Sequence, residues 1–216
     1  MKFYRNNWYY IGGILFVVLS FFIGLFGRDI DPLRIVLTLS FMALLVHQFE
    51  EYALPGGFPA VWNIVASGEK ESPNRYPLNK QSSLVANTFM AYLLYILAII
   101  FKEWYWLGLI TMFIGFAQLI MHGIIIPKKF KTFYNPGLAS TIFLQVPVSI
   151  YYIWYLQVNY SIPTWNWWVA IIGLPITAFL TLIAPISIYK DKHSPYPFSK
   201  EEMQRFSVQE KLQKKI

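Results

Sequence analysis

Six apolar runs, each close to the length of a membrane span, leave few folds open to this chain. They cover roughly residues 8–26, 33–53, 84–102, 104–126, 138–158 and 166–189. A helix rises ~1.5 Å per residue, so ~20 residues cross the ~30 Å hydrocarbon core of a bilayer. The chain is 56% hydrophobic and only 13% charged, where an ordinary soluble domain is ~25% charged. The expectation is an all-α fold: a polytopic membrane bundle of about six helices. It divides into a helical domain over residues 1–190 and a basic amphipathic tail over 191–216.

The N-terminal stretch has a basic start and an apolar core, as a signal peptide does. Its apolar part is of full-span length, however, and "GRDIDPLR" leads straight into a second apolar run. It reads as a retained first helix. There is no cysteine, which excludes disulfides, thiolate metal sites and cysteine nucleophiles.

The positive-inside rule orients the bundle. With the N-terminus cytoplasmic, the inner segments hold all of the 18 Lys and Arg except Arg28, Arg34 and Lys102. Both termini are then inside. The net charge of +7 thus belongs to one membrane face and is no nucleic-acid signal. Trp104, Trp106, Trp165, Trp167 and Trp168 mark the outer interface, and Trp8, Tyr9 and Tyr10 the inner one. The absence of cysteine and the compact loops point to a prokaryotic cytoplasmic membrane. The tail opens with a capping-box pattern, Ser199 to Glu202. Val208, Leu212 and Ile216 follow at four-residue spacing, which suits either a helix on the anionic leaflet or a solvated one.

The second run is anomalous. Its mainly apolar part, Leu33 to Val46, is too short to span, so the helix must carry His47, Glu50 and Glu51 in its last turns. Residues three and four apart on a helix are neighbours, which brings both carboxylates to the imidazole. Glutamates at a helix C-terminus oppose the macrodipole, and an ionisable group at membrane depth is costly unless paired or bound. The plain alternative ends the helix at His47 and leaves both glutamates in water. The topology sets Asn87, Gln118, His122 and Asn135-Pro136-Gly137 at the same depth on the cytoplasmic side. Each has a plain reading too: a satisfied interhelical hydrogen bond for His122, polar contacts between helices for Asn87 and Gln118, and a helix N-cap followed by proline for Asn135 and Pro136. That helix start also makes an anion-binding end. Their shared depth makes them one candidate site.

The segments "HQFEEYALPGGFP", "QLIMHG" and "YNPG" resemble the integral-membrane family named for its His-x-x-Glu-Glu motif. The resemblance runs from about the second span to the fifth. That family has no established activity, so the resemblance supports the choice of site and not a reaction.

Catalytic zinc sites often use two histidines and one carboxylate, leaving one position open. His47, His122 and one of Glu50 and Glu51 supply that set for zinc or another divalent metal. The other glutamate would serve as general base. Asn87, Gln118 and Asn135 would orient ligands or hold substrate. A site at the inner leaflet beneath an apolar loop suits a lipid or lipid-linked ester, amide or phosphoester, and so hydrolysis or acyl transfer. Two other classes compete: a proton- or cation-coupled transporter or channel, and a non-catalytic lipid-binding accessory protein. A transporter requires a polar path through the bundle, and an accessory protein requires glutamates splayed into water.

Overall fold

The computed structural model describes residues 1–213. Lys214, Lys215 and Ile216 of the expected tail lie outside the described residues. The fold is all-helical, with six helices long and apolar enough to cross a membrane. These are α1 (Lys2–Asp29), α2 (Pro32–Tyr52), α3 (Lys80–Ile100), α4 (Tyr105–Phe130), α5 (Leu138–Asn159) and α6 (Trp165–Tyr189). In the apolar window of α2, 61% of residues are buried, against 6% in α1. The helix bearing His47, Glu50 and Glu51 is therefore the one the others surround.

Local chemistry sets the helix ends. Asp31 caps α2 by accepting from the Arg34 N–H at 3.2 Å, with Pro32 at the first helical position. Asn79 and Ser82 form a reciprocal capping box that starts α3 at Lys80, about one turn before its apolar run begins. The first helix likewise starts at Lys2 rather than near residue 8, because Trp8 and Tyr9 are buried inside the bundle. Tyr9 stacks on Tyr52, with ring centroids 5.9 Å apart. These aromatics serve as packing between helices.

α3, α4, α5 and α6 each contain a π-helical turn: Val85–Met90, Met121–Ile125, Thr141–Gln145 and Phe179–Ile183. Such turns insert one residue into the helical ladder and swing the side chains beside it. Those of α3, α4 and α5 carry Asn87, His122 and Thr141, so three helices around α2 are re-aimed at the level of the candidate site. Close approach of α4 and α5 depends on Gly108, where an added Cβ would stand 2.0 Å from the Tyr152 hydroxyl. Small residues are the usual means of bringing helices together in lipid.

The loop after α2 is ordered and folded back onto the bundle. A short helix, Phe58–Ala60, runs into a π turn, Val61–Ala66, with Ala60 and Val61 fully buried. Asn63 ties the rest down: its amide donates to the Pro73 and Leu78 carbonyls and its oxygen accepts from the Leu78 N–H. The C-terminal segment also packs on the protein. Arg205 donates to the Tyr52 carbonyl and to the Tyr10 hydroxyl, Glu202 pairs with Lys80 at 2.9 Å, and Val208 is buried. Val208 and Leu212 pack on the bundle itself, which neither a leaflet-bound nor a solvated helix requires. At Gly57, φ is +90° and a Cβ would stand 2.3 Å from the Arg205 carbonyl oxygen. The Pro-Gly-Gly turn is thus shaped by the tail that lies against it.

Candidate metal centre

His47, Glu51 and His122 meet between α2 and α4. Their exposures are 1%, 5% and 1%, so the cluster is closed to solvent. The two imidazole rings stand edge to face, with centroids 5.0 Å apart. The Oε1 atom of Glu51 lies 3.6 Å from His47 Nε2 and 3.4 Å from His122 Nε2. One ligand atom from each of the three residues falls within 4.8 Å of the others. Tetrahedral ligands at ~2.0–2.1 Å from a metal stand about 3.4 Å apart, so the two His–Glu separations are already those of a ligand set.

The hydrogen bonds behind the rings decide which nitrogen faces inward. Asn135 Nδ2 donates to the His122 carbonyl at 2.7 Å, which orients the amide so that its Oδ1 meets His122 Nδ1, also at 2.7 Å. A carbonyl oxygen only accepts, so Nδ1 of His122 carries the hydrogen. His47 Nδ1 lies 3.1 Å from both the Gly137 carbonyl and Ser140 Oγ, and 3.4 Å from Thr141 Oγ1. Ser140 gives its hydroxyl hydrogen to Glu50 and Thr141 gives its own to the Gly137 carbonyl. Nδ1 of His47 is therefore a donor as well. In the neutral rings both Nε2 atoms present lone pairs toward a carboxylate oxygen, and His47 Nε2 has no hydrogen-bond partner among the described residues. Three converging acceptors repel one another in a low-dielectric interior, and a shared cation reverses the sign of that interaction. An outward N–H donated to an amide or backbone carbonyl is the usual support of a metal-ligating histidine.

Glu50 goes elsewhere. Its Oε1 accepts from Tyr134 Oη at 2.7 Å and the Ala139 N–H at 3.1 Å. Its Oε2 accepts from the Ser140 N–H at 2.7 Å and Ser140 Oγ at 2.5 Å. A carboxylate offers about four acceptor sites, and all four are taken. The expected start of α5, with Asn135 as N-cap and Pro136 at the first position, is not what forms. Gly137 takes the N-cap position at φ +103°, which releases Asn135 to hold His122. Glu50 then accepts from the second and third residues of α5, doing from α2 what a local cap would do. The anion at the positive end of α5 is this carboxylate. Burial, followed by the hydrogen bond and charge of Glu50, pushes the Tyr134 phenol above its ordinary range, so it stays a donor. Through Ser140, Glu50 is also joined to His47.

Gly137 is the tightest point of the site. A Cβ there would stand 2.5 Å from His122 Cε1 and 2.8 Å from His47 Cε1. Of the other expected residues, Asn87 accepts from the Gln48 amide and donates to the Ser83 carbonyl. Asn87 and Gln118 both line a small cavity of about 70 Å³ that Glu51 also lines. Tyr134, Ser140 and Thr141 were not foreseen. Tyr134 and Ser140 flank "NPG" at −1 and +3, and the +3 spacing from the N-cap glycine is the one local signal for Ser140.

A family model described as "Protein of unknown function with HXXEE motif" matches residues 38–152, more than half of the chain. The chain belongs to the HXXEE family. Comparisons with curated proteins and with solved structures return no match. The matched region runs from α2 through most of α5 and so contains every side chain named at this centre. In the HXXEE motif of this chain the histidine and the second glutamate face His122, and the first glutamate caps α5. The group His47, Glu51 and His122 can hold a metal ion.

Proposed function

We propose that this HXXEE protein is a membrane-embedded, metal-dependent enzyme that hydrolyses or transfers the acyl group of a lipid or lipid-linked substrate at the cytoplasmic leaflet. The observation that carries the reading is the convergence of His47 Nε2, His122 Nε2 and the Glu51 carboxylate, each histidine with its other nitrogen committed to an acceptor. Two histidines and one carboxylate form a ligand set of catalytic zinc sites. A zinc-class ion would supply Lewis acidity toward a carbonyl or phosphoryl oxygen.

The chain's own groups have separate roles in this reading. Asn135 and the Gly137 carbonyl hold the two rings in the ligating tautomer. Glu50 has no acceptor capacity left, so general-base work falls to the Glu51 side, where a cavity adjoins the centre. The charge bias supports the side: the loops and helix ends on this side of the bundle hold Lys70, Arg75, Lys80, Lys128, Lys129 and Lys131, as expected of a cytoplasmic face.

The test is elemental analysis of detergent-purified protein beside His47→Ala and His122→Ala, followed by lipid-turnover assays on the loaded protein. Near-stoichiometric metal in the wild type, lost in both variants and required for turnover, is the expected outcome. Absence of metal in every sample after reconstitution overturns the reading.

A further inference from the structure

The Glu51-lined cavity has a composition of its own. It measures about 70 Å³, room for a small polar group of a few heavy atoms and too little for a lipid chain. Besides Glu51 its polar lining includes Gln118, Asn87 and Trp62, and no lysine or arginine is among the residues around it. The Asn87 amide is already engaged by Gln48 and Ser83. The indole N–H of Trp62 is buried without a hydrogen-bond partner among the described residues, and a buried donor left unmade costs ~1–3 kcal/mol. Part of the wall is Leu182 and Ile186 on the inward face of α6, Ile186 buried in the core and Leu182 packed against it, while the rest of that helix, with only 17% of its apolar window buried, faces lipid.

We infer that this cavity is the seat of the substrate's reacting group, and that the group is the neutral carbonyl of a long-chain ester or amide, with its chain passing along Leu182 and Ile186 into the bilayer. The inference rests on the enzymatic reading above and narrows its substrate class. Neutral donors, Gln118 and the Trp62 indole, suit a carbonyl oxygen. A phosphoester's negative charge would be met only by the bound ion, whose charge the Glu51 carboxylate already partly offsets, with no cationic side chain in the lining to add to it.

The test uses full-length protein in nanodiscs and a long-chain ester carrying a diazirine near its carbonyl. Labelling is mapped by mass spectrometry, and metal content is measured on the same samples. Crosslinks are expected on the α6 peptide holding Leu182 and Ile186. An unlabelled ester of the same chain should compete, and the matching alkyl phosphate should not. Gln118→Leu and Trp62→Phe should each weaken that competition about tenfold, one hydrogen bond's worth, with metal content unchanged. Equal competition by the alkyl phosphate, labelling elsewhere, or indifference to both substitutions overturns the inference. Metal bound without cavity labelling defeats this inference alone. Cavity labelling in protein that binds no metal defeats the metalloenzyme reading and leaves the carbonyl site standing.

Discussion

Adjacent glutamates with different partners should respond in opposite ways to the same substitution. Glu50→Gln replaces one oxygen of a carboxylate that accepts four hydrogen bonds. Whichever way the new amide turns, its NH₂ faces two donors, either Tyr134 Oη and the Ala139 N–H or the N–H and hydroxyl of Ser140. Two bonds to a charged group are lost, at ~1.5–3 kcal/mol each, together with ~0.3–1 kcal/mol from the negative charge at the start of α5. A loss of about 5 kcal/mol follows, and at ~2–4 °C per kcal/mol for a chain of this size the Tm should fall by about 10–20 °C. Glu51→Gln works the other way in chelator. Its amide can donate to a histidine Nε2 lone pair where a carboxylate oxygen now sits 3.4–3.6 Å away, so the Tm should hold or rise by a few degrees. Zinc should separate the variants again. At a hundredfold excess over Kd a bound ion stabilises by ~2.7 kcal/mol, about 5–10 °C here. Wild type and Glu50→Gln should show that rise and Glu51→Gln should not. The assay is thermal unfolding in detergent, with chelator and with zinc. Equal destabilisation by both substitutions in chelator, or a zinc response in Glu51→Gln, would refute the division of labour.

Gly137→Ala places a methyl group 2.5 Å from His122 Cε1 at a φ of +103°. It should lower stability by at least the ~1–3 kcal/mol of a strained backbone position and abolish metal binding, as read by unfolding and metal content. Asn135→Leu removes the acceptor that holds His122 Nδ1–H while keeping the side chain's size. Metal affinity measured by chelator competition should drop ~10–100-fold, and unchanged affinity would show that the tautomer is set elsewhere.

Much of the site was legible because membrane spans are constrained in one dimension. Span length placed His47, Glu50 and Glu51 inside a helix, and charge bias set the relative depth of segments distant in sequence. Asn87, Gln118, His122 and Asn135 could therefore be grouped before any contact was known. Depth does not give azimuth, however. Glu50 and Glu51 are 100° apart on a helix, and which one faces His122 depends on where α4 and α5 pack around α2. The π turns that re-aim His122 and Thr141 leave no sign in hydropathy. Nor does the local sequence "YNPG" reveal that α5 is capped from α2, since a proline after asparagine reads as an ordinary helix start.

The sequence by itself determined an all-helical bundle, its six spans and the level at which its buried polar groups collect, because a bilayer tolerates ionisable side chains only where something pairs with them. Tertiary packing alone decided which glutamate joins the two histidines, which caps α5, and which nitrogen each ring presents. Those choices rest on hydrogen-bond directions between residues up to 94 positions apart, and such directions exist only once the helices are side by side.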